Sequence, residues 1–189
     1  PLLLGLLATM AWERNRVWND EISLWSDANR KNPTAVRPYV YMGNAARTMG
    51  DAQAAERHFL RALELEPDNS TVRANLANAY QDMGRHDLAI AAFAQVLAER
   101  PEMIDVHYSL GRALQVTGRD AEAAVQYRAL PATSPHRNLA DNNLGTLFEK
   151  SGQIDSALYY YARAGALVEA GENHRRLIGR ELSRVRQRL

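Results

Sequence analysis

The side chains able to do chemistry in this 189-residue chain are few and scattered. Its five histidines, His58, His86, His107, His136 and His174, stand far apart in sequence, without the close pairing that a metal ion needs. There is no cysteine, which excludes disulfides, thiolate zinc sites and cysteine nucleophiles. No glycine loop of phosphate-binding type, no nucleophile elbow and no HExxH pair occurs. The carboxylates Glu64, Glu66 and Asp68 cluster at what reads as a helix end and turn, where a solvated surface is the ordinary explanation. Asn69, Ser70 and Thr71 form a glycosylation sequon, which carries meaning only in a eukaryotic secretory compartment. The expectation is a non-catalytic chain with no metal and no cofactor.

Charge gives no other chemistry to the body of the chain. The net charge is +1, but residues 172–189 hold six Arg against two Glu, which leaves everything before them slightly acidic. A nucleic-acid surface is therefore not expected. At the other end, Leu2–Trp12 is an apolar run of eleven residues followed by Glu13, Arg14 and Arg16. A membrane-crossing helix needs about 20 residues, so residues 1–16 read as the end of a transmembrane helix whose start lies upstream, with its junction. The alternative is an apolar helix covering the first repeat.

The elements that position these residues follow from a strict period. Pro33, Pro67, Pro101 and Pro135 are spaced by 34 residues, and so are Gly50, Gly84, Gly118 and Gly152. Ala55, Ala89, Ala123 and Ala157 keep the step, as do Phe59, Phe93, Tyr127 and Tyr161. Two more series, Gly43, Ala77, Gly111, Gly145 and Met42, Leu76, Leu110, Leu144, complete six registers. Glycine at 50 and its equivalents suits the left-handed residue that ends a helix. Proline at 33 and its equivalents cannot continue a helix but can start one. Apolar residues fall between these stops at helical spacing, so each unit is a helix, a short turn and a second helix. Small residues at 43 and 55 let the two approach closely.

This pattern resembles the tetratricopeptide repeat family. Four units are expected, 36–69, 70–103, 104–137 and 138–171, preceded by a partial unit at 17–35 with the second helix only and followed by an Arg-rich capping helix at 172–189. Arg73 departs from the family pattern by standing where unit two needs its first aromatic. Pro131 departs from it too, and predicts an early stop to the second helix of unit three. The fold implied is all-α, a right-handed α-solenoid of antiparallel helix pairs with a C-terminal capping helix.

The resemblance also implies a function. In this family the inner face of the first helices lines a groove that takes a protein partner or an extended peptide. The corresponding positions are Arg37, Val40, Tyr41, Asn44 and Arg47 in unit one, and Ala74, Asn75, Asn78 and Gln81 in unit two. Unit three supplies Asp105, Tyr108, Arg112 and Gln115, and unit four Asn142, Asn143, Thr146 and Glu149. An asparagine amide donates and accepts together, which suits a peptide backbone; the alternative is that asparagine is only a tolerated polar residue on a solvated face. The family's carboxylate clamp is not expected, because Val40, Asp105 and Ser109 stand where cations are needed.

Trp12–Pro33 is similar, through Arg14, Asn15, Trp18, Asp20, Glu21, Leu24 and Trp25, to the junction before the repeats in membrane glycosyltransferases of the lipid-linked sugar O-mannosyltransferase type. That likeness implies repeats on the extracytoplasmic side, periplasmic or lumenal, engaging acceptor polypeptides. Arg14 and Arg16 pull the other way, since basic residues flanking a span favour the cytoplasm. The main expectation is a peptide-binding scaffold tethered to a membrane through its N-terminal apolar segment; the alternative is the substrate-engaging domain of such a glycosyltransferase.

Overall fold

A computed structural model describes residues 21–166 and the isolated position 183. The apolar segment, the junction before Glu21 and the Arg-rich tail lie outside the described residues. Every element among the described residues is a helix: α1 (Glu21–Lys31), α2 (Val36–Thr48), α3 (Ala52–Leu65), α4 (Ser70–Asp82), α5 (His86–Glu99), α6 (Ile104–Val116), α7 (Asp120–Arg128), α8 (Arg137–Lys150) and α9 (Ile154–Ala166). The all-α class read from the repeat is the observed one. None of these helices is long and apolar enough to cross a membrane. The chain divides into two compact units, Pro1–Ala92 and Phe93–Leu189, with α5 straddling the division.

In the first unit α1 packs on α2, α2 on α3 and α3 on α4. The turn between α2 and α3 is built by Gly50, whose φ of 84° is one that other residues rarely adopt. Its N–H donates to the Arg47 carbonyl and the Asp51 N–H to the Ala46 carbonyl, the paired bonds that close a helix C-terminus. Asp51 then opens α3 by accepting from the Ala54 N–H at 2.8 Å, a cap that contributes about 1 kcal/mol. The same paired C-terminal bonds recur at Gly84, and in the second unit at Gly118 and Gly152. Asn69 of the sequon is itself a cap: it accepts from the Val72 N–H at 3.1 Å and donates to Glu66 at 2.7 Å.

The core of the first unit is Tyr39, Met42, Ala46, Ala55, Phe59, Ala62, Val72, Leu76 and Ala79. Gly43 is where α2 meets α3: a Cβ there would lie 2.5 Å from Phe59 Cε1. In the second unit, Gly111 faces Tyr127 at 2.6 Å and Gly145 faces Tyr161 at 2.5 Å on the same measure. The three aromatic rings are essentially inaccessible to solvent.

The position of the first aromatic has a rule that its residue types conceal. The Tyr39 hydroxyl donates to the Pro33 carbonyl at 3.2 Å, and Arg73 donates to the Pro67 carbonyl. In the second unit His107 Nε2 lies 3.1 Å from the Pro101 carbonyl, which can only accept, and Nδ1 is 2.8 Å from Gln126 Oε1. Proline has no N–H to extend a ladder, and the turn leaves its carbonyl unpaired. What the position requires is a donor six residues downstream, which explains why Arg73 serves where an aromatic was expected.

The last such position is Asp141, which cannot donate when ionised. The chain there is rearranged. The second helix of the third repeat stops at Arg128, Pro131 follows, and Leu130 is buried. Arg137 donates to the Leu130 carbonyl through Nη1 and to Asp141 Oδ1 through Nη2, the latter at 2.7 Å. Arg163 donates to both carboxylate oxygens from α9, with Nε at 2.7 Å from Oδ2. Burial pushes the Asp141 carboxyl up, while the hydrogen bond and charge of Arg137 pull it down.

Candidate functional site

The first helices present two local surfaces, one in each unit. In the first unit, the Tyr41 ring stacks on Trp25 of α1, with centroids 4.0 Å apart and planes within 2°. Arg37, one turn before Tyr41, places its guanidinium 5.6 Å from the Tyr41 centroid and 5.9 Å from that of Trp25, within cation–π range of both. Further along α2, Asn44, Arg47 and Thr48 line a cleft of about 600 Å³ together with Gly50, Ala52 and Asp82. Arg47 Nε donates to Asp82 Oδ2 at 2.8 Å, joining the ends of α2 and α4. Asn44, Asn75 and Asn78 are half-buried, and their side-chain amides have no hydrogen-bond partner among the described residues. Gln81 is half-buried beside Asp82 at the end of α4. Ala74 is buried and Val40 packs against the core, so neither offers much to a partner.

In the second unit the equivalent positions are more occupied. Tyr108 stacks on His136 at 4.7 Å and 8°, and His136 Nε2 lies 3.4 Å from Asp105. Burial pushes the Tyr108 hydroxyl above its ordinary value, whereas Arg112 and a hydrogen bond with Asn143 lower it. Burial raises Tyr127 further, opposed by Asn143. The Asn142 side-chain oxygen is buried without a partner. Arg112 is exposed, as is Thr146.

Two predicted site residues turn out to hold the core. Gln115 accepts from the Tyr127 hydroxyl at 2.7 Å. Glu149 is buried and accepts from the Tyr161 hydroxyl at 3.0 Å, with Thr146 Oγ1 3.2 Å from that hydroxyl. One repeat equivalent in the first unit is Arg47, and the aromatic opposite it is Phe59, which has no hydroxyl to satisfy. The Phe-to-Tyr change at 127 and 161 thus draws Gln115 and Glu149 inward and leaves Arg47 to the surface. That change is visible in the sequence and was the signal to read. Sequence reasoning also missed Asp82, which lines the first-unit cleft, and Trp25, which stacks on Tyr41 from α1.

No group of three or more metal-ligating side chains is gathered among the described residues. A second surface cleft, of about 420 Å³, is lined by Arg128, Phe148, Gln153, Asp155, Ser156, Tyr159 and Tyr160. Phe148 and Tyr160 stack there at 5.3 Å, with Arg128 5.2 Å from the Phe148 centroid.

Tetratricopeptide repeat family models match residues 34–98 and 74–138. No curated protein matches the chain. Among solved structures, PilW, described as a widely conserved type IV pilus biogenesis factor, superposes with a TM-score of 0.76 at 19% identity, covering 95% of this chain and 83% of that one. A crystal structure of MamA gives 0.71 at 20% identity over 77% of this chain and 85% of that one. YrrB, described as a TPR protein with an unusual peptide-binding site, gives 0.70 at 17% identity over 92% and 88%. At these identities the likeness concerns the fold.

Proposed function

We propose, from the premise that this chain carries a tetratricopeptide repeat domain, that it is a non-catalytic scaffold holding an extended segment of a partner protein against its first helices. Tetratricopeptide repeat domains bind protein or peptide partners, and YrrB is described as having a peptide-binding site. The observation that carries the reading is the set Asn44, Asn75 and Asn78, three half-buried amides on successive first helices with no partner among the described residues. A half-buried amide has lost part of its hydration without gaining a protein partner, and a peptide backbone restores both its donor and its acceptor.

The test is a triple Asn44→Ala, Asn75→Ala, Asn78→Ala protein probed on a peptide array beside the parent. Because none of these amides holds the fold, helicity and melting stay close to the parent's while peptide capture is lost. Capture at parental strength rejects the reading. Asn143 is kept out of this set because it lies in the second unit.

The apolar run Leu2–Trp12 supports a membrane tether as part of the same proposal. A chain beginning at Glu13 is expected to remain in the aqueous phase on detergent partitioning while the full chain enters the detergent; equal partitioning of the two removes the tether. The second reading, a substrate-engaging domain of a lipid-linked sugar O-mannosyltransferase with repeats on the extracytoplasmic side, is supported by the Trp12–Pro33 resemblance.

A further inference from the structure

The geometry points to an acidic peptide as the segment bound by the first unit, with one carboxylate on Arg37 and a second on Arg47. This deepens the scaffold reading and rests on it. Helix α2 carries two arginines and no acid, and α4 carries Asp82 as its single acid. Arg37 is exposed and has no anionic partner among the described residues. Its guanidinium carbon lies 5.9 Å from the Trp25 centroid and 5.6 Å from that of Tyr41. Those two rings stack on each other, so the guanidinium sits beside the pair, and its exposed N–H groups are open to a carboxylate.

Arg47 is the second anchor. Its contact with Asp82 is made through Nε, which leaves the paired Nη groups uncommitted in that bond, and Arg47 lines the cleft with Asn44. Both members of the pair are well exposed, at 37% and 47%, so the bond is a surface one and weak enough to yield to a ligand. Ten positions separate the two arginines along α2, about 15 Å at helical rise. An extended peptide advances about 3.3 Å per residue and repeats its face every second residue. Two acidic side chains four residues apart, on one face of the strand, meet this spacing. Asn75 and Asn78 then lie alongside the peptide backbone between them.

The probe is a fluorescein-labelled peptide with two Glu four residues apart in a Ser/Ala background, compared by anisotropy with its Gln and Lys versions on the full chain. The Glu peptide is expected to bind at least about tenfold more tightly than the Gln peptide, and the Lys peptide not at all. Arg37→Gln and Arg47→Gln should each weaken the Glu peptide by about tenfold, with Arg→Lys at either site keeping part of the binding. Asp82→Asn should strengthen it several-fold, because it removes a competing carboxylate from the cleft. A mere structural role for the Arg47–Asp82 pair would instead make Asp82→Asn weaken binding. Equal affinity for Glu and Gln peptides, with the asparagine variants still defective, overturns the carboxylate assignment and leaves the scaffold reading intact. No binding by any of the three peptides together with no capture on the array overturns both.

Discussion

An Asp141→Ala protein should lose about 3–5 kcal/mol of stability, read as a fall of about 10 °C in melting temperature. The carboxylate is fully buried and answers two guanidinium groups from different helices, Arg137 of α8 and Arg163 of α9. Arg137 is about nine-tenths buried and also carries the end of the shortened α7 through the Leu130 carbonyl. Arg163 is less buried, and is held over the Tyr159 and Tyr160 rings at 5.4 and 5.0 Å. Removing the acid leaves Arg137 charged in a site with little water. That residual charge, more than the lost bonds, sets the size of the effect. A double variant tests this. Replacing Arg137 and Asp141 together by Leu should cost less than Asp141→Ala alone, since no buried charge then remains. If the double variant is the worse of the two, the packing around the pair matters more than its charge. Chemical denaturation of the three proteins decides between these outcomes.

The 34-residue period was enough to place the helices, because its markers act locally. A glycine with φ near 80° ends a helix whatever surrounds it, and Asp51 or Asn69 caps the next helix through its own backbone neighbourhood. The surface residues were less legible, because their roles depend on partners on the other helix of the repeat, twelve residues away. Gln115 and Glu149 sit at positions that in isolation read as solvent-facing. Each is drawn inward by a tyrosine hydroxyl twelve residues further on. Arg73 and His107 look like losses from an aromatic position, yet both keep the hydrogen bond to the preceding proline carbonyl that Tyr39 makes. Hydropathy and period describe shape; these residues are chosen for a donor or an acceptor, which neither measure records. At Phe59, which has no hydroxyl, the opposite position is Arg47, which pairs with Asp82 at the surface and lines the cleft.

Gly43→Ala should destabilise the protein by about 1–3 kcal/mol even though alanine is the better helix former by about 1 kcal/mol. The added methyl would meet Phe59 at 2.5 Å from Cε1 and 2.8 Å from Cδ1 and Cζ. The ring is itself fully buried, so it has no open space to move into and α2 must lift from α3. Ala77 shows that the register accepts a methyl where the surroundings are built for one; at Gly43 the volume is already taken by the ring. Phe59→Leu should therefore suppress the defect, with a coupling of about 1 kcal/mol between the two substitutions in denaturant titrations. Additive losses would mean that the ring is not what the methyl strikes. Gly50, seven residues on, is the internal contrast. It has no atom within 4 Å of an added Cβ, and its constraint is a φ of 84°. Asparagine, which tolerates that conformation, should be accepted at 50 with little loss and rejected at 43. Two glycines seven residues apart, one inside α2 and one in the turn after it, are thus held by different physics, one by its neighbour and one by its own backbone, and the asparagine pair separates them in a single melting experiment.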